Sequence, residues 1–373
     1  MKPLRLALIR QRYTPFGGAE RFVSRAMDAL QAQGASITLL TRKWEGSGDA
    51  LICNPFYLGS LWRDWSFARC VCHTLTQHSF DLVQSHERIS CCDIYRAGDG
   101  VHREWLTQRS RVLGSLRRLG VLLNPYHRYT LAAERRLFAS PRLKAVICNS
   151  RMVKAEIMRY FGVAEDKLHV IYSGVDLDMF HPRLRQQHRQ SIRTQLGISE
   201  DATLFLFVGS GFERKGLAAA LRALPPSAYL AVVGQDRRAH HYQHLAAQLG
   251  IADRVRFLGP QQDVKPYYGA ADALVLPTLY DPFPNVALEA LACGLPLITS
   301  TKCGAAELLA QTGLVVDALD AVALRAAMTT LLDKHHRAAL GEQARRLAGD
   351  YGMQTMTGNL LRLYGELLPR AGL

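Results

Sequence analysis

Short apolar runs alternate with stretches of helical periodicity, and the alternation passes along the chain twice. Leu4–Arg10 reads as a strand and Thr14-Pro-Phe-Gly-Gly18 as a loop. From Ala19 to Gln33 the apolar positions Phe22, Val23, Ala26 and Leu30 share one helix face. Gly34 ends that helix, and Ser36–Thr41 is the next strand. Further strands are expected at Leu82–Ser85, Asp93–Ala97, Ala145–Asn149 and Leu168–Ile171. Repetition of strand, helix and strand needs parallel strands with crossover helices, which is a doubly wound α/β sheet.

The pattern breaks at Tyr172-Ser-Gly-Val-Asp-Leu-Asp-Met-Phe-His-Pro182, where a polar stretch rich in Arg and Gln follows. A second series then opens at Leu204–Gly209 and continues through Leu230–Val233, Val255–Leu258, Ala273–Leu276 and Leu297–Thr299. Several of these runs are continuously apolar, as strands buried on both faces must be. The 373 residues therefore divide into two Rossmann-like domains, 1–175 and 183–352. A last helical stretch, about 338–368, is expected to cross back, so that 353–373 belongs with the first domain. Two such sheets imply a cleft at the carboxyl ends of their strands, where ligands of this architecture bind.

Composition excludes other classes. Hydrophobic residues make up 48% and charged residues 21%, a globular balance. No apolar run approaches the roughly 20 residues that span a bilayer. The start resembles a signal peptide, but its apolar stretch is only Leu6–Ile9 before Arg10 and Arg12, so a first strand and a cytoplasmic protein are expected. None of the eight cysteines forms a C-x-x-C pair, and most lie in apolar segments; buried thiols are expected, not a disulfide or zinc framework. The formal charge is +14 and uneven, with 26 Lys and Arg against 16 Asp and Glu in residues 1–180. An anionic partner follows: nucleic acid, acidic lipid or a phosphorylated substrate. With no recognition helix, zinc module or aromatic-basic RNA motif, nucleic acid is set aside.

Three motifs carry chemistry. Phe16-Gly17-Gly18-Ala19-Glu20 joins the first strand to a helix, where backbone N–H groups can approach an anion; by itself it is also an ordinary tight turn. In Val208-Gly209-Ser-Gly-Phe-Glu-Arg214-Lys215-Gly216 a strand runs into a glycine-flanked turn with two adjacent cations, suited to neutralising a diphosphate. In Asp281-Pro-Phe283-Pro-Asn285-Val286-Ala-Leu-Glu289, Asp281 sits in a loop and Glu289 one turn inside a helix opening near Pro284 or Asn285. Carboxylates accept two or more hydrogen bonds each and can grip the hydroxyls of a sugar and a ribose. Prolines 282 and 284 lack an N–H, so backbone donors must come from Phe283, Asn285 and Val286. The plainer reading of these acids is complementation of the helix dipole.

With these residues in place, the chain resembles the family-4 glycosyltransferases, a retaining family of the GT-B fold. The match includes two acids separated by seven residues, then Ala-Leu-Ala-Cys-Gly294-Leu-Pro296, the Gly17-Gly18 loop, the Ser173–Pro182 linker and Gly209–Gly216. The resemblance implies that domain 183–352 binds a nucleotide sugar and domain 1–175 an acceptor. Glu289 would hold the donor ribose, Asp281 the transferred sugar, and Arg214 and Lys215 the diphosphate. Asp281 departs from the glutamate more usual at its position by one methylene. Transfer would need no metal; Asp176-Leu-Asp178 looks like a metal motif but falls within the linker, and two carboxylates alone rarely hold Mg²⁺.

On the acceptor side, Asp81-Leu-Val-Gln-Ser-His86-Glu87 and Ile94-Tyr-Arg-Ala-Gly-Asp99-Gly-Val-His102 are strands ending in polar residues. Asp99 and His102, then His86, are the candidates to meet the reacting sugar. The chain further resembles bacterial lipopolysaccharide-core glucosyltransferases in Tyr13–Gly18, Trp44-Glu-Gly46 and the strand leading to Asp99. That implies glucose from UDP-glucose passing to an inner-core heptose at the inner face of the inner membrane. Segment 103–136 carries eight arginines against Glu104 and Glu134, with Trp105, Leu106, Leu113, Leu116, Leu119 and Leu123 interspersed. Such a segment reads either as a site for an anionic membrane surface or as a core helix with a solvated basic face. No enzymic nucleophile stands out, which favours front-face attack assisted by the departing phosphate, with Arg214 and Lys215 stabilising the leaving group. Another donor, another glycan acceptor, or a GT-B nucleotide-sugar epimerase are the alternatives.

Overall fold

The structure, a computed structural model, describes residues 4–11, 34–44, 49–309 and 312–368. Its contacts divide the chain into two compact units, Met1–Tyr172 with Met356–Leu373, and Ser173–Thr355.

In the first unit the described residues form a parallel sheet of β1 (Arg5–Ile9), β2 (Ser36–Thr41), β3 (Asp49–Ile52), β4 (Leu82–Ser85), β5 (Ile94–Arg96), β6 (Ala145–Cys148) and β7 (Leu168–Val170). Their order is β3-β2-β1-β4-β5-β6-β7, so the winding reverses between β1 and β4. Ala7, Ile9, Val83, Tyr95 and Val146 meet Phe67, Val71 and Leu75 of the helix Gly59–Gln77 in one apolar core. The edge strand β3 was not expected, because its residues are exposed or half-buried and lack the apolar run of the central strands. The helix expected at Ala19–Gln33 and the loop bearing Gly17 and Gly18 lie outside the described residues.

One expectation is overturned. Cys72, on the helix Gly59–Gln77, and Cys91, ahead of β5, are disulfide-bonded with Cα atoms 5.8 Å apart. The pair is made by the packing of that helix against the segment between β4 and β5, a proximity that cysteine spacing does not express. Cys53, Cys92, Cys148, Cys293 and Cys303 are buried thiols.

The second unit holds β8 (Thr203–Val208), β9 (Ala228–Val233), β10 (Val255–Gly259), β11 (Ala273–Leu276), β12 (Leu297–Ser300) and β13 (Gly313–Val316), in the parallel order β10-β9-β8-β11-β12-β13. Every residue of β8, β11 and β12 is buried, as their apolar runs require. The winding reverses between β8 and β11, which puts the loops after these two strands at the switch point of the sheet. The single helix expected at about 338–368 is two helices, Lys334–Gly349 and Met353–Leu367. Between them Val175 inserts, its N–H donating to Tyr351 O at 2.9 Å and its carbonyl accepting from Met353 N at 3.2 Å. Gly174 is required there, since a Cβ would lie 2.8 Å from Met353 Cα. Beyond this break the helix joins the first unit, where Tyr364 OH donates to Gln84 Oε1 at 2.6 Å.

Candidate functional site

The loop after β8 turns through Gly211, at φ 75°, into the short helix Phe212–Lys215, and Gly216, at φ 78°, ends it. A Cβ on Gly216 would lie 1.9 Å from Pro277 O, so only glycine lets this turn approach the loop after β11. That loop is tied to the turn, with Leu279 N and Thr278 Oγ1 each donating to Arg214 O at 2.8 Å. Asp281 is fixed on both sides: its N–H donates to Lys302 O at 2.9 Å and its carbonyl accepts from Gly304 N at 2.8 Å. The result is a buried ion pair, Lys215 Nζ to Asp281 Oδ2 at 2.5 Å, with Arg214 NH1 3.3 Å from the same oxygen. Burial pushes the Asp281 carboxyl upward, but Lys215, Arg214 and the Phe283 N–H together outweigh it and hold the group below its ordinary value.

Glu289 lies in the helix Asn285–Ala292, which opens after Pro284. It is buried, and Tyr268 OH donates to its Oε2 at 2.9 Å. Tyr268, on the helix Lys265–Ala270, carries no signal in the sequence that marks it as a partner of Glu289. The Phe283 N–H is directed at Asp281, whereas Asn285 and Val286 stand in the first helical turn, where N–H groups have no intrahelical acceptor. Two cations face one carboxylate here, so their charge exceeds that of Asp281, and a second buried carboxylate, Glu289, lies in the helix that follows the same loop.

In the first unit, His86 follows β4 and Asp99 follows β5, so both stand at the carboxyl edge of that sheet. His86 is buried with its Nε2 3.0 Å from Gln84 Nε2; burial, then Arg96 and Arg10, hold the imidazole neutral far below its usual range. Asp99 is largely exposed, 3.8 Å from Arg88 NH1. His102 opens the helix His102–Ser110, with its N–H donating to Glu134 Oε1 at 2.8 Å and its Nε2 3.1 Å from His127 Nδ1. Burial, Arg88 and His127 bring it down to about 3. Arg88 Nε also binds Glu134 Oε1, at 2.9 Å, so one buried carboxylate organises both residues, a role its position in the basic segment did not suggest. Asp176 Oδ1 accepts from the N–H groups of Asp178 and Met179 at 3.1 and 3.0 Å, a linker turn.

Segment 103–136 is three helices: His102–Ser110, Ser115–Leu123 and Pro125–Phe138. The third packs Thr130, Ala133, Glu134 and Leu137 inward. The middle one buries nothing, and Leu116, Leu119, Leu122 and Leu123 are exposed beside Arg117 and Arg118. No described helix is long and apolar enough to cross a membrane.

Two sheets, each reversing its winding beside its first strand, with a cation pair on Asp281 at the switch point of the second, are the architecture of a GT-B glycosyltransferase. Residues 16–179 match the family described as Glycosyltransferase Family 4, and residues 188–347 that described as Glycosyl transferases group 1. The chain is 31% identical over 330 residues to D-inositol 3-phosphate glycosyltransferase 2 of Catenulispora acidiphila, covering 81% of this chain and 75% of that protein. It is 29% identical over 317 residues to the lipopolysaccharide glucosyltransferase WaaG of Escherichia coli, covering 82% and 83%. The crystal structure of WaaG superposes with a TM-score of 0.82 at 25% identity, over 98% of this chain and 100% of that one. The chain belongs to the family-4 glycosyltransferases, and it resembles their lipopolysaccharide-core members.

Proposed function

We propose that the protein transfers glucose from UDP-glucose, with retention and without a metal, to a heptose of the lipopolysaccharide inner core at the cytoplasmic face of the inner membrane. The observation that carries the donor half is the pair Lys215–Asp281, with Arg214 alongside, at the switch point of the second sheet. An arriving diphosphate meets Arg214 and Lys215, and Glu289, oriented by Tyr268, takes the ribose hydroxyls. Asp281 grips the sugar. As the glycosidic C–O bond breaks, negative charge grows on the phosphate, and the two cations stabilise it there. The acceptor hydroxyl attacks from the same face and gives its proton to the departing phosphate oxygen. His86, neutral and buried against Gln84, adds no charge on the acceptor side. Asp99 and His102 are the other acceptor contacts.

Glucose and a lipopolysaccharide acceptor rest on the likeness to WaaG, with the heptose our own narrowing of that acceptor; the likeness to D-inositol 3-phosphate glycosyltransferases supports glycosyl transfer to a different acceptor. The exposed leucines of Ser115–Leu123 with Arg117 and Arg118 support a peripheral seat on an anionic bilayer. The test is transfer from a panel of nucleotide sugars, in EDTA, to heptose-terminated core and to inositol phosphate. Transfer from UDP-glucose to the core, abolished in Glu289→Ala, upholds the reading. Transfer only to inositol phosphate replaces the acceptor, and failure to bind any nucleotide overturns the donor site.

A further inference from the structure

Asp272 immediately precedes β11 and so stands at the amino edge of the second sheet, whereas Lys215 and Asp281 follow the carboxyl ends of β8 and β11. At this opposite edge one buried carboxylate faces four guanidinium groups. Arg193 lies at 2.5 Å, Arg189 at 3.1 Å, Arg185 at 3.2 Å and Arg337 at 3.8 Å. Asp272 also accepts from Leu204 N at 2.9 Å. Its lone pairs, about four sites, are thereby taken, and its single charge cannot balance four. Glu200, 2.9 Å from Arg189, offsets one more, and Asp201, 2.8 Å from Lys334, neutralises that neighbouring lysine. An excess of positive charge remains.

The hydrogen bonds locate that excess. Arg193 and Arg189 are closed off by the carbonyls of Ala270, Ser199, Glu200 and Ala202. Arg185 has a side chain 47% exposed and, besides Asp272, only Ala271 O, at 3.3 Å, among the described residues. Arg337 gives NH1 to Thr203 and Leu331, while its NH2 has only the 3.8 Å approach to Asp272. Both line a cavity of about 340 Å³ with Lys334 and with the carboxylates of Glu200 and Asp272, over Gly294 and Leu295. A neighbouring cavity of about 410 Å³ shares Arg185 and runs on to Arg345 and Arg346. A fold gains nothing from crowding like charges; burial, then Arg185 and Arg189, disfavour the charged form of Arg337 more than Asp272 and Asp333 favour it, and an anion in the groove would offset that.

We infer that this groove is a second anion site, taking a phosphate or diphosphate group between Arg185 and Arg337, with Lys334, paired to Asp201, at its rim, apart from the nucleotide-sugar site. Guanidinium groups match phosphate oxygens in pairs, and the cavity admits a phosphorylated small molecule. The test titrates inorganic pyrophosphate calorimetrically into the full chain saturated with UDP, which fills the donor site. One equivalent is expected to bind, about tenfold more weakly in Arg185→Gln and unchanged in Arg214→Ala. Arg185 is half exposed, so its substitution leaves the fold intact, and Lys334→Gln provides a second surface variant with a smaller expected loss. Phosphatidic-acid vesicles separate the sources: sedimentation that depends on Arg185 assigns a lipid-borne phosphate, and pyrophosphate binding without it assigns a soluble one. No binding of either, or unchanged binding in Arg185→Gln, overturns the inference. Should UDP itself not bind, the donor reading fails alone, and Arg185→Gln with pyrophosphate still decides this one.

Discussion

Deleting the Lys215 charge while keeping Asp281 tests whether this pair holds the second unit's site together. Lys215→Met retains the aliphatic stem and removes an ammonium 2.5 Å from a buried carboxylate. Breaking a buried pair costs about 3–5 kcal/mol, because the remaining charge is uncompensated. Arg214 stays 3.3 Å away, but its side chain is 39% exposed and solvent screens it; allowing roughly 1 kcal/mol for its attraction, the expected loss is about 2–4 kcal/mol at pH 7.5. The pH dependence has a definite sign. In the native protein the folded value of Asp281 is depressed, so its contribution is complete above the unfolded value of about 3.9 and is lost only as pH falls through the folded one. In Lys215→Met burial dominates and the folded value rises, so protonation relieves the variant, and its deficit shrinks toward pH 5. Adding Asp281→Asn removes the stranded charge and is expected to restore about 2 kcal/mol without restoring activity. Both variants lose about 10²–10³ in kcat. Trp44, Trp62, Trp65 and Trp105 all lie in the first unit, so urea unfolding must be followed by backbone circular dichroism. A double variant no more stable than Lys215→Met, or a deficit equal at pH 5 and 7.5, would refute the reasoning.

Tyr268→Phe removes a buried hydrogen bond to Glu289 and is expected to raise the donor KM about tenfold with kcat within about twofold; a fall in kcat at constant KM would count against ribose binding. His102, brought down to about 3, binds a proton in the unfolded chain well before the folded one, so stability falls with pH below about 6.5. Between pH 7 and 5 this group alone removes about 2 kcal/mol, and thermal midpoints of His102→Gln are expected to be less acid-sensitive by that amount; an unchanged slope sinks the assignment. Leu116→Asp with Leu122→Asp, at positions 87% and 70% exposed, should leave thermal stability intact and abolish sedimentation with anionic vesicles. Full vesicle binding by that variant would remove Ser115–Leu123 from the membrane reading.

What the sequence expresses well is whatever burial dictates locally. The apolar runs of β8, β11 and β12 mark central strands because both of their faces must be covered. Asp281 and Glu289 are readable because a strand end, two prolines and a helix start fix their spacing. The edge strands β3 and β13 escape because half-exposed residues need not be apolar. The Cys72–Cys91 bond, the Tyr268–Glu289 contact and the meeting of Arg337 with Asp272 escape for a different reason: each joins separate elements through tertiary packing. Arg185, Arg189 and Arg193 recur every four residues along the helix Arg183–Leu196 and so share a face. Their common acid, however, comes from the far side of the sequence.

The short Asp281 side chain gives the proposed chemistry its last constraint. Its backbone is held by Lys302 and Gly304, so the carboxylate has little freedom to advance, and Lys215 meets it directly. Under the proposed reading the same ammonium must also meet the diphosphate. As it turns toward the phosphate oxygens its hold on Asp281 weakens, and a carboxylate oxygen becomes free to accept from a sugar hydroxyl. A neutral sugar without the diphosphate leaves the ion pair closed, with Oδ2 taken by Lys215 and Arg214. Under that reading, grip on the sugar is coupled to the presence of the leaving group through one lysine shared between two anions, a geometry that a longer carboxylate reaching past the ammonium would not impose.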